Sequence, residues 1–234
     1  MLEAAERLNH RLWNLYMNES EGWLHVEGHY NKPENNYYFT TTVYRVVNVL
    51  TLIHLFEKEA IFIDSRIADN KDLQFLKFLK AFAWVFVDVK LLDGLEYDMS
   101  RSSDHIFRDK LRLICNSCCK EGDFLSLEDF ESHLNEGHVY NPLLSFFDGL
   151  SISEKRFRWD KVVVFHLLLM AFINTFGYDM QKSSTKQMKE VSGKIQNKQI
   201  LLNLDYLISS VGLERQREVK KIKSVVHSIV NEIS

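Results

Sequence analysis

Apolar residues recur at three- and four-residue spacing along most of this chain, a rhythm that predicts helices. Leu2, Ala5, Leu8, Leu12, Leu15 and Tyr16 form a first stripe over residues 2–17. Residues 18–36 are polar and broken by Gly22, Gly28 and Pro33, so they read as a loop anchored by Trp23, Leu24 and Val26. Tyr37 to Ile63 then runs without glycine or proline. Its start is β-branched, Thr40 to Val43, but its length and later spacing decide for helix. Leu73, Leu76, Leu79, Phe82 and Phe86 mark the next helix, from Asp72 to about Leu92, with Trp84 to Val89 open to a strand reading. Ser103 or Asp104 can cap a helix reaching Cys119, and Ser126 with Asp129 opens one that Gly137 ends. A short helix from Pro142 reaches Phe147.

The most apolar stretch, Val162 to Ile173, contains one polar residue, His166. A bilayer crossing needs about 20 apolar residues. The helix near 158–176, within the 153–176 segment, is therefore expected to be the central buried helix of a bundle, and no membrane partner is expected. Residues 179–198 are polar and lysine-rich and read as a linker. Helices over 200–211 and 213–233 close the chain. In the last, Val219, Ile222, Val226, Ile229 and Ile233 alternate by three and four, a short coiled-coil-like seam. The expected fold is all-α: an irregular multi-helix bundle with a core domain over 1–178, the linker over 179–198, and a C-terminal helical appendage over 199–234. The seam must be covered by the body of the same chain or by a second copy. The first, a monomer, is the expectation, with a homodimer as the alternative.

Composition agrees with helices. Of 234 residues, 46% are hydrophobic and 12% aromatic, enough for a bulky core. Only nine glycines and two prolines are present, too few for a turn-rich β architecture. The net charge of −3 excludes little, but its distribution is uneven. Residues 177–234 hold ten basic and six acidic residues, a net of +4, which leaves −7 for the rest. That asymmetry fits attraction between the two parts, or an anionic partner such as nucleic acid. The three cysteines fall within five residues, and residues 1–18 mix charge throughout rather than forming a signal peptide. Both point to a reducing, cytoplasmic setting.

One arrangement has metal-ligand spacing. Cys115-x2-Cys118 is followed, after fourteen residues, by His133-x4-His138, two thiols and two imidazoles that can close a tetrahedron around zinc. Phe124 and Phe130 lie between the pairs, six apart, with Phe130 three before His133. This segment, about a tenth of the chain, resembles a C2H2 zinc finger. The resemblance implies a structural zinc held by Cys115, Cys118, His133 and His138. It departs from the family pattern in a Cys118-to-Phe124 gap two residues longer and in a helical lead-in, Phe107 to Leu111. The bland alternative is that the thiols are small core residues and Leu127, Phe130 and Leu134 an ordinary helix stripe.

Asp104, His105 and Asp109 form the second candidate. On a helix, His105 and Asp109 share a face, and an imidazole with a carboxylate can act as a general base. Asp104 reads equally well as a cap. Arg45, His54 and His166 lie on long helices, and His166, on an apolar face, reads as a core histidine satisfied by one hydrogen bond. No phosphate-binding loop, dinucleotide turn, His-Glu-x-x-His, Gly-x-Ser-x-Gly or Glu-x-x-His occurs. The functional expectation is a helical interaction module that binds a partner protein. A hydrolase acting on nucleic acid or a nucleotide through the Asp/His cluster is the alternative. Nucleic-acid binding through the basic C-terminal segment is the third.

Overall fold

A computed structural model describes residues 1–30, 36–60, 69–97, 103–120, 123–136, 138–154 and 156–232. It is 72% helical, an all-α multi-helix bundle with one two-strand ribbon. In chain order the elements are α1 (Leu2–Met17), α2 (Tyr37–Ala60), α3 (Asn70–Val87), α4 (Arg108–Ser117), β1 (Cys119–Lys120), β2 (Asp123–Phe124), α5 (Leu127–Glu136), α6 (Asn141–Phe147), α7 (Arg158–Phe176), α8 (Thr185–Ser192), α9 (Lys198–Ser210) and α10 (Arg217–Glu232). Trp84 to Val87, open to a strand reading in sequence, belong to α3. The expected extension of α2 to Ile63, the stop at Gly137 and the last seam residue, Ile233, lie outside the described residues.

Helix α7 is the hub. Every residue from Arg158 to Ile173 is buried, and α1, α3, α8, α9 and α10 all pack on it. Burial on all sides explains a run that is apolar all round rather than amphipathic. Both α2 and α7 are long and apolar enough to cross a membrane, but most of each is buried inside the fold. The first turn of α7 carries buried polar groups, three of which have close partners. Arg158 donates to Ser145 O and Phe146 O at 2.8 and 3.0 Å, and Asp160 accepts from Gln196 N and Asn197 N at 2.8 and 3.0 Å. Trp159 Nε1 donates to Lys194 O at 2.8 Å. One helix thereby fixes the segments on either side of it, as buried polar groups require.

The loop before α2 is held by a single carboxylate. Asp148 accepts from Val26 N and Glu27 N, both at 3.1 Å, from Gly28 N at 2.7 Å and from Tyr30 Oη at 3.2 Å. Leu24 and Val26 are buried, as their apolar character predicts.

Residues expected as a linker contain α8, capped by Ser184 and Gln187, with Met188 and Val191 fully buried against the α7/α10 side. Helix α10 folds back on α7, α8 and α9 and buries Val219, Ile222, Val225, Val226 and Ile229. At roughly 1.5–3 kcal/mol for each buried aliphatic side chain, the seam contributes about as much as the whole net stability of a domain, ~5–15 kcal/mol. Deleting residues 217–234 is therefore expected to give an insoluble or unfolded chain. A soluble, cooperatively melting monomer from that deletion, by light scattering and calorimetry, would show that the seam is not needed.

Candidate functional site

The structure brings together two of the four residues of the finger-like segment, Cys118 and His133. Cys115 lies on α4 and Cys118 caps it, both buried against α2 rather than on a strand turn; the ribbon β1–β2 begins one residue later. Cys118 Sγ and His133 Nδ1 meet at one hydroxyl, Tyr140 Oη, at 3.7 and 3.4 Å. His138 is exposed and contacts Asn141 Nδ2 at 3.2 Å. Among the described residues no three His, Cys, Asp or Glu side chains stand together as a metal site. Burial pushes the Cys115 thiol up to about 12, with Thr51 pulling the other way, and the Cys118 thiol up to about 11. Phe130 is fully buried and edges onto Tyr140 at 5.2 Å, so its spacing reflects packing.

Asp104, His105 and Asp109 are also parted. Helix α4 begins at Arg108, so His105 precedes it and the shared helix face does not exist. Asp104 is fully buried, accepts from Arg156 Nε at 2.6 Å and from Phe157 N at 3.1 Å, and has no free lone pair directed at solvent. His105 Nδ1 is 2.5 Å from Tyr97 Oη. Burial holds the imidazole below its usual value, Lys161 adding to the shift and Asp104 opposing it. Asp109 is exposed in the first turn of α4. His166 behaves as a core histidine: its Nε2 is 2.9 Å from Asn9 Oδ1 inside the bundle.

A groove that the sequence did not announce lies between α2, α3 and α4. Helix α2 packs against both α3 and α4 and turns toward the groove Leu50, Ile53, His54, Glu57 and Lys58. From α3 come Lys80, Ala83, Trp84 and Val87, and from α4 Arg108, Leu111, Arg112 and Cys115. Each set follows the three-four spacing of one helix face. The enclosed volume is about 410 Å³. Leu50, Ile53, Leu111 and Cys115 form a buried floor, and Trp84 is a half-buried wall.

The rim is cationic. Lys58, Lys80, Arg108 and Arg112 are exposed around it, with Glu57 the one carboxylate lining the groove among the described residues. His54 Nε2 and Lys58 Nζ share Asn116 Oδ1 at 2.9 and 3.0 Å, tying α2 to α4 at the mouth. Lys80 Nζ stands 4.9 Å from the Trp84 ring centroid, a cation–π contact.

No family model, curated protein or solved structure matches this chain.

Function must therefore be argued from the groove. Its polar groups sit at the rim, and the floor is apolar apart from a thiol that burial keeps protonated. A pocket selective for a small polar molecule needs donors and acceptors converging inside it. This groove instead offers an apolar seat under a ring of positive charge. Reading His54 only as a residue of a long helix and Trp84 as open to a strand missed it, because only the crossing of three helices makes one face of each into a cleft.

Proposed function

We propose that the protein is a non-enzymatic binding module whose α2–α3–α4 groove takes an acidic amphipathic segment of a partner protein. The supporting observation is the convergence of three helix stripes into an apolar floor bordered by four cations and one carboxylate. Apolar side chains of a docked helix fill such a floor, and its carboxylates face the rim. Trp84, flanked by Lys80, has the character of an aromatic anchor. Charge complementarity at the rim gives orientation and encounter rate more than affinity.

The other readings have less support. Asp104 is committed to Arg156 and Phe157, which removes the carboxylate a hydrolase would use. The basic residues of α10 are partly neutralised: Lys221 pairs with Glu218 at 2.8 Å and Lys223 with Asp205 at 3.3 Å. That weakens the case for nucleic acid. The buried seam of α10 fits a monomer, and three free thiols fit a reducing compartment.

The test uses two labelled model peptides, helices of identical leucine pattern with glutamate or lysine on the polar face. Fluorescence anisotropy is expected to show the acidic peptide binding at least tenfold tighter. The double variant Arg108→Glu/Arg112→Glu, at exposed positions where fold is little affected, is expected to reverse that preference. Equal binding of both peptides, or a preference untouched by charge reversal, would remove the proposal.

A further inference from the structure

A second concavity, of about 400 Å³, opens beside the N-terminal half of α2. Tyr37, Thr41, Arg45 and Asn48 line it from α2, and Arg7 from α1. Among the described residues no carboxylate lines it. Arg7 pairs with Glu3 at the surface, at 2.5 Å. Arg11, one turn further along α1, stands behind the wall: it is buried, and its Nη2 donates to Thr41 Oγ1 at 3.0 Å. Its Nη1 is buried without a hydrogen-bond partner. Arg45 makes no hydrogen bond or ion pair among the described residues. It is close enough to Arg11 that, after burial itself, its charge is the next cause holding the Arg11 guanidinium below its usual value.

Arg45 thus faces this space, and the buried Arg11 adds positive charge from behind its wall, with no carboxylate answering either among the described residues. A buried cation without a counter-charge is costly, and a fold carries one readily where a ligand supplies the anion nearby. Planar guanidinium forks match phosphate oxygens two at a time. The pocket holds one further unmet group. Asn48 Oδ1 is buried with no donor, and a phosphate, itself an acceptor, cannot satisfy it. The ligand must bring an O–H or N–H as well.

We infer that this pocket binds a small phosphate monoester whose organic part carries a hydroxyl or amine. The phosphate binds the Arg45 guanidinium and answers the charge of Arg11 through the wall, and the hydroxyl or amine donates to Asn48 Oδ1. Tyr37, largely exposed at the mouth, offers a ring face to the organic part.

Inorganic phosphate, ribose 5-phosphate and ribose serve as probes, read by titration calorimetry and melting temperature at low salt. Ribose 5-phosphate is expected to raise the melting temperature by about 5–10 °C at a hundredfold excess over its Kd. Inorganic phosphate binds more weakly and ribose gives no shift. Arg45→Gln, at a half-buried residue with no partner to lose, weakens ribose 5-phosphate at least tenfold. Asn48→Asp places a carboxylate beside the arginines; it abolishes binding and raises the melting temperature of the ligand-free protein. The inference fails if wild-type protein shows no phosphate-dependent shift, if Arg45→Gln leaves Kd unchanged, or if ribose matches its phosphate. Inorganic phosphate binding as tightly as the ester would overturn the role given to Asn48.

Discussion

Replacing Asp104 with alanine is expected to cost the fold about 3–5 kcal/mol, the range for breaking a buried ion pair from one side. Asp104 is the fully buried acceptor for Arg156 and for Phe157 N, at the entry to α7. Its charge also supports Lys161, one turn into α7 and fully buried, whose Nζ reaches only Asp88 O, at 3.4 Å. Burial lowers the Lys161 ammonium to about 7, with Asp104 and Asp88 opposing the shift. Alanine at 104 leaves Arg156 unpaired and Lys161 with less support. Urea denaturation measures the loss directly, and a change below about 1 kcal/mol would assign the carboxylate no structural role. The same cluster sets a pH signature. Unfolded lysine keeps its proton to about 10.5 and the buried one releases it near 7, so between these values the unfolded state binds more protons and stability rises with pH. Lys161→Met is expected to flatten that rise.

The second large effect is in acid. His166 is fully buried, and burial alone lowers its imidazole to about 3. Its Nε2–H donates to Asn9 Oδ1, its Nδ1 is buried without a partner, and the ring stacks on Tyr16 at 5.3 Å. In the unfolded chain the imidazole takes up a proton below about 6.5. The contribution of neutral His166 is therefore full above that pH and is lost as pH falls toward 3, by on the order of 5 kcal/mol in all. Asp160 works the other way. Burial raises its carboxyl to about 6, despite hydrogen bonds from Gln196 and Asn197, so it destabilises as pH rises from its unfolded value. The wild-type curve is the difference of the two, and a variant isolates the histidine. His166→Gln keeps a donor for Asn9 and is expected to reduce the stability lost between pH 7 and pH 4 by about 3 kcal/mol. An unchanged loss in that variant would rule the histidine out as its source.

Much of the fold was legible because burial in a helical bundle writes a period into the chain. The unbroken run from Val162 to Ile173 reads as a helix buried on all sides, and the 219–229 alternation as a stripe that must be covered. Helix α8 was not legible: among its eight residues only Met188 and Val191 are apolar, and six polar residues outweigh them in composition while those two are fully buried. The candidate chemistry was less legible still. Spacing places Cys115, Cys118, His133 and His138 on a line, but the orientation of α4 against α2 decides where the thiols face. Starting α4 at Arg108 rather than at Asp104 dissolves the His105/Asp109 pair and turns Asp104 inward to Arg156. Both concavities are built from residues that, read along one helix, look like core and solvated face.

The place of α7 in the chain has a consequence for how this protein is made. Helices α1 and α3 pack on a hub that begins only at Arg158. A ribosome adding ~5–20 residues per second emits them roughly 4–30 s before that hub begins to emerge. During synthesis α1 and α3 have α2 to close on but not the hub that covers the rest of their apolar faces, so the core is completed only when the last third of the chain arrives.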